Sequence, residues 1–208
     1  MTTAIQEMQD IPPLFGADAD VNDQLLQVLA LTPTRHLGKI AAPGLIENLS
    51  DAQVMRIAVF LSKKGYDEGG CAIGGVVRCN ETGRILGKGH NRHVQENRVY
   101  WHGETDAIQD AGTRVDFSRT TLFTTLTPCS VCAAMTFSQS FARLVIGNRL
   151  DGANAENETL LRSKGVTVDI LEDPLGQRLY AEYAAEKPEQ DTRDWQGEAG
   201  VQRLAAGG

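Results

Sequence analysis

The run Thr120-Thr121-Leu122-Phe123-Thr124-Thr125-Leu126-Thr127-Pro128-Cys129-Ser130-Val131-Cys132 decides how this chain folds. Its first half is β-branched and aromatic, the composition of a strand on a packed sheet. Its second half reads as a helix start, with Thr127 as N-cap and Pro128 at the first helical position, where a missing N–H costs nothing. The passage also puts Cys129 and Cys132 three residues apart, hence on one face of a first turn. There the positive end of the helix dipole favours thiolates.

The flanking sequence repeats the alternation. Upstream, a helix begins near His102 and stops at Gly112, after a polar loop that follows Asn91. Before it, the runs Cys71 to Arg78 and Arg84 to Gly89 read as two strands joined by Asn80-Glu81-Thr82-Gly83, a hairpin. Earlier still, Ser50 caps a helix whose apolar positions Val54, Ile57, Ala58 and Leu61 keep helical spacing until Gly65 ends it. Downstream, Leu144-Val145-Ile146 is a strand, Ala155 to Ser163 a helix, Val166 to Leu171 a strand and Leu175 to Ala185 a final helix. Strands alternating with helices predict an α/β sheet covered on its faces by helices.

The first fifty residues differ in texture. Pro12-Pro13, Pro33 and Pro43-Gly44 break them into short pieces around one helix, Val21 to Leu31. The expected organisation is an N-terminal extension over 1–49, a domain over 50–200 and a frayed tail over 201–208.

A length of 208 residues, 41% hydrophobic and 23% charged, fits a globular chain and excludes disordered, collagenous and coiled-coil classes. Runs such as Ile57 to Leu61 are far too short for a membrane span, and the start has no basic segment followed by an apolar one. A cytoplasmic location is the default expectation. Twenty basic residues against 27 acidic give a net charge of −7, which disfavours a nucleic-acid partner. Four cysteines are too few for a disulfide scaffold, so a C-x-x-C pair points to metal or redox chemistry.

Two motifs carry that chemistry: His102-Gly103-Glu104 and Pro128-Cys129-Ser130-Val131-Cys132, each at a helix mouth. One nitrogen and two sulfur ligands suit tetrahedral zinc, and having three rather than four leaves a position for water. In a first turn, His102 and Glu104 both reach a point beyond the helix end. Two such mouths facing one point would gather His102, Cys129, Cys132 and Glu104 around one ion. Chance co-occurrence of the motifs is on the order of one in a thousand. The alternatives are a redox pair, a pair of buried small side chains, or a structural zinc site. The last would need a fourth ligand, and His36, His90, His93, Cys71 and Cys79 do not stand at ligand spacing.

The paired motifs resemble the cytidine and cytosine deaminase superfamily, and within it the fungal cytosine deaminases most closely. The resemblance runs from about Asp51 to Trp195, through Glu68-Gly69-Gly70, Ile73-Gly74-Gly75, Gly87-Lys88-Gly89-His90-Asn91, Leu122 to Leu126 and Asp194-Trp195. It implies a three-layer α/β/α sandwich with a central mixed five-stranded sheet, one Zn2+ per chain and a homodimer. The implied reaction is hydrolytic removal of an exocyclic amine from a free base, cytosine to uracil.

Carried over by residue, the resemblance implies zinc ligation by His102, Cys129 and Cys132, with Glu104 as proton shuttle. Asn91 and the Gly103 N–H would contact the base, Ile73 and Trp195 would wall the pocket, and Glu198 would face the leaving amine. This chain departs from the fungal pattern at Glu198, where aspartate is usual, at Trp101, where a smaller apolar residue is usual, and at Asp151-Gly152, where an aromatic wall is usual. A glycine in that wall enlarges the pocket, so guanine, a nucleoside or another amino-heterocycle is the alternative substrate. A tRNA adenosine deaminase would require a basic surface, and a non-catalytic zinc module would have no use for Glu104.

Overall fold

The computed structural model describes residues 21–41, 43–149 and 155–194. Ser50 starts the central helix as its sequence suggests: its hydroxyl accepts from the Gln53 N–H while the Gln53 side chain accepts from the Ser50 N–H at 2.9 Å, a reciprocal cap. The helix α4 (Asp51–Asp67) runs through Gly65 for two further residues. Gly65 marks a close approach and not a helix end: a Cβ there would press against the Cys71 carbonyl at 3.1 Å and the His90 ring at 3.0 Å, so the position needs a glycine for space.

Before α4 come α1 (Val21–Leu31), a 3-10 turn and two short helices, α2 (Leu37–Ile40) and α3 (Pro43–Glu47). After it the chain forms β1 (Gly74–Cys79), β2 (Ile85–His90), α5 (His93–Glu96), α6 (Gly103–Ala111), β3 (Thr120–Thr124) and α7 (Ser130–Ser138). It continues with β4 (Arg143–Ile146), α8 (Ala155–Ser163), β5 (Thr167–Ile170), α9 (Pro174–Glu186) and α10 (Pro188–Asp194). The sequence reading missed α2, α3, α5 and α10. It also placed Cys71 in a strand, whereas Cys71 lies before β1, buried, and Cys79 is the last residue of β1.

The five strands pair in the order β2-β1-β3-β4-β5, with β1 antiparallel to both neighbours and β3, β4 and β5 parallel. This mixed sheet between helices is the expected architecture. Alternation along each strand sorts side chains to two cores: Val76, Phe123 and Val145 pack with α4 and α1, while Val77, Leu122, Leu144 and Ile146 pack with α6, α7 and α8. A third cluster joins Ile73 and Leu126 to Leu179, Tyr180 and Tyr183 of α9.

The parallel and antiparallel halves meet where the end of β3 lies beside the start of β1; there the Gly74 N–H donates to Thr125 Oγ1 at 3.1 Å. At this junction, strand ends and helix N-termini converge, the usual place for a ligand on an open α/β sheet.

Candidate active site

The helix after β3 starts two residues later than its sequence suggests. The Thr127 N–H donates to the Asn148 carbonyl at 3.1 Å, and the Pro128 carbonyl accepts from Asn157 Nδ2 at 3.1 Å. Those long-range bonds hold 127–128 outside the helix, and the first helical residue is Ser130. Thr127 is therefore no cap, and its buried Oγ1 has no hydrogen-bond partner among the described residues. The cap position falls to Cys129, in extended conformation, with Cys132 in the first turn.

The helix α6 is built alike. His102, extended at φ −82° and ψ 166°, is its N-cap, and its N–H donates to Thr105 Oγ1 at 2.9 Å. Both helices thus offer their cap residue to one point. His102 Nδ1 lies 3.4 Å from Cys129 Sγ and 3.4 Å from Cys132 Sγ. Tetrahedral bonds of ordinary zinc length would set these donors roughly 3.5 Å apart, so the triangle fits the ion with little adjustment. Among the described residues this is the cluster of histidine, cysteine or carboxylate groups that could hold a metal. His36, His90, His93, Cys71 and Cys79 are not in it.

The thiols share a proton in the metal-free protein. A hydrogen bond from Cys132, against the cost of burial and with help from His102, holds the Cys129 thiol down to about 4. The same contact, then burial, pushes Cys132 well above the usual thiol range.

Glu104 is 3% exposed, on the second helical residue of α6. Burial raises its carboxyl above the usual range and the Cys129 thiolate adds to this, while His102 and Thr124 oppose it. Thr124 Oγ1 donates to Glu104 Oε1 at 2.9 Å, and the Leu126 carbonyl lies 3.1 Å from the same hydroxyl. Thr124 carried no signal in the sequence beyond its strand propensity. Only the meeting of β3 with α6 gives it a partner.

Asn91, Ile73 and Gly103 lie together beside this centre. The Asn91 N–H donates to the Ile73 carbonyl at 2.8 Å, and a Cβ on Gly103 would come within 2.9 Å of that same carbonyl. Asn91 is 2% exposed, and its Oδ1 accepts from the His93 N–H at 3.0 Å. The end of the amide left to offer a ligand is therefore the NH2, a donor. As the first helical residue, Gly103 has an N–H with no intrahelical partner to bond. Ile73 is 8% exposed, in the cluster with Leu126. Trp195 and Glu198, and the Asp151-Gly152 wall, lie outside the described residues.

Residues 49–148 match the family described as the cytidine and deoxycytidylate deaminase zinc-binding region. The chain is 34% identical to cytosine deaminase of Candida albicans over 153 residues, covering 72% of this chain and 97% of the fungal one. It is 31% identical to a tRNA-specific adenosine deaminase of Buchnera aphidicola over 100 residues, covering 47% of this chain and 65% of that one. Among solved structures, guanine deaminase from Nitrosomonas europaea superposes with a TM-score of 0.60 at 20% identity, over 69% of this chain and 92% of that one. At that identity the likeness is one of fold.

Proposed function

The chain belongs to the cytidine/cytosine deaminase superfamily, and on that premise we propose that it deaminates a free aminated nucleobase, cytosine before the others, to the oxo base and ammonia. It is a zinc-dependent hydrolytic deaminase with one Zn2+ per chain. The observation that carries the substrate reading is the extent of its likeness to the fungal cytosine deaminase, 97% of that chain against 65% of the tRNA enzyme. The net charge of −7 supports a small base over an RNA.

In this reading His102 Nδ1 and the sulfurs of Cys129 and Cys132 hold the ion. Zinc so bound supplies a Lewis acid that brings a water's acidity toward neutrality. Glu104 would take a proton from the attacking water at its carboxylate as the oxygen bonds to the carbon bearing the amine, and would deliver it to the adjacent ring nitrogen. It would then take the proton of the hydroxyl just added and give it to the departing amine, so the C–N bond breaks as ammonia leaves and that hydroxyl becomes the oxo group. A carboxyl raised by burial is suited to both halves of this exchange. The Asn91 NH2 donates to the ring carbonyl, the Gly103 N–H adds a second donor, and Ile73 forms an apolar wall. Trp195 and Glu198 complete the pocket in the same reading.

Two further parts belong to it. Val99 and Tyr100, 63% and 64% exposed just before His102, offer an apolar surface beside the site that supports a homodimer. Four cysteines with no disulfide among them support a cytoplasmic location, and the cytosine reading places the reaction in pyrimidine salvage; no described helix is long and apolar enough to cross a membrane.

The test is ammonia release from cytosine, 5-methylcytosine, guanine, adenine, isoguanine and their nucleosides, with and without chelator. Cytosine is expected to lead, with chelator abolishing release. Activity confined to guanine or to nucleosides overturns the substrate, and turnover by Glu104→Ala overturns the role of Glu104.

A further inference from the structure

The residue that contacts the base and the first zinc ligand, as read above, sit at the two ends of one loop. Asn91 precedes its first stem residue, Arg92, and His102 follows its last, Trp101. The loop closes on itself: the Arg92 N–H donates to the Trp101 carbonyl at 2.9 Å. Inside, the guanidinium groups of Arg92 and Arg98 stand 4.8 Å and 4.3 Å from the centre of the Trp101 ring, and Glu96 pairs with both arginines. Closure of the neck alone would leave the loop able to swing as a unit about its stems.

Gln95 Nε2 ties the middle of the loop to the Gly65 carbonyl of α4 at 3.2 Å, and its two stems are held from α6. Asp106 is 7% exposed, and one oxygen of its carboxylate accepts from Trp101 Nε1 at 2.6 Å and from the Arg92 guanidinium. The other accepts from the His90 N–H at 3.1 Å. A single buried carboxylate thus holds the residue before Asn91, the residue after it and the residue before His102. Gly89 makes room for it, since a Cβ there would lie 2.5 Å from the Asp106 side chain.

We propose that Asp106 is a positioning residue for deamination, clamping both stems of the 92–101 loop to α6 so that the Asn91 amide keeps its place relative to His102 and Glu104. The inference rests on the roles given above to Asn91 and His102. The physical reason is that Glu104 and His102 share α6 and move together, whereas Asn91 stands at the exit of β2. Misplacing a bound ring by an ångström costs far more in productive binding than in local stability. Trp101 gains a purpose here: its indole N–H is one of the donors the carboxylate needs, and a smaller apolar residue would leave that bond unmade.

The test compares wild type, Asp106→Ala and Trp101→Phe on whichever base wild type turns over fastest. For Asp106→Ala, KM should rise about tenfold or more, with kcat changed only a few-fold and zinc staying near one per chain. Trp101→Phe, which removes one donor, should move KM the same way by a few-fold and serves alone should Asp106→Ala not fold. In 15N-labelled protein, the indole resonance that Trp101→Phe removes identifies Trp101, and in Asp106→Ala it should shift away from its hydrogen-bonded position. Unchanged KM in both variants, or a loss of activity that only tracks lost zinc, overturns the inference. Failure of the substrate reading shows separately, as a wild type that turns over no free base.

Discussion

Thr124 donates its hydroxyl to Glu104 Oε1 at 2.9 Å, which ties the end of the central strand β3 to the buried acid at the mouth of α6. The bond holds one carboxylate oxygen and opposes the rise that burial imposes on this group.

Thr124→Val should therefore raise the Glu104 pKa further, because the charged form loses a hydrogen bond and gains nothing. A base that works as the carboxylate is lost as pH falls through its pKa, so the acid limb of the kcat/KM profile should move to higher pH. The loss at neutral pH should be about tenfold, the scale of general-base catalysis weakened but not removed. An unshifted limb in the variant's pH profile would separate Thr124 from the proton transfer.

Zinc binding should release about one proton from the two thiols, not two, because Cys129 is already a thiolate near neutral pH while Cys132 is not. Calorimetric titration of metal-free protein with zinc, in buffers of different ionisation enthalpy, reads the total release; repeated above and below neutral pH, it should show the thiol share staying near one.

Gly103→Ala should cost activity more than fold. The new Cβ would meet the Ile73 carbonyl at 2.9 Å and Gly74 Cα at 3.1 Å, so the start of α6 must move off β1, carrying His102 and Glu104 with it. We expect a loss of on the order of tenfold or more in kcat/KM, with a drop in stability of about 1–3 kcal/mol in urea unfolding. Gly74→Ala, whose Cβ would fall 2.1 Å from the Ala58 carbonyl in the middle of α4, should cost more stability than Gly103→Ala.

Lys88 ties the N-terminal segment down. Its Nζ donates to the Leu29 carbonyl at 2.7 Å and to that of Ala30, in the last turn of α1, and burial brings the amine down to about 8. A lysine depressed on folding contributes stability above its unfolded value of 10.5, and loses that contribution as pH falls through about 8. The stability of wild type minus that of Lys88→Met should thus increase from about pH 8 to about pH 10, by on the order of 1–3 kcal/mol. Urea midpoints of the two proteins at both pH values check the sign.

Much of this molecule was legible along the chain because its signals are local. The strand composition of Thr120–Thr124, the cap at Ser50, the helix from His102 and the two ligand motifs each act within a few residues, where propensity and hydrogen bonding to neighbours decide. The sequence by itself determined the alternating α/β order, the histidine and cysteine types of the cluster that could hold a metal, and the acid beside them.

Tertiary structure decided the rest. Asn148 and Asn157 reach across the fold to hold Thr127 and Pro128 outside the helix, so α7 starts two residues later and Cys129 is a cap like His102. Thr124 finds Glu104, Lys88 finds the end of α1, and Asp106 finds Arg92, Trp101 and the His90 N–H only once the strands are paired. Each of these is a polar side chain whose partner is chosen by burial: out of water it must bond whatever the packed elements bring within reach, and sequence distance says nothing about which group that is.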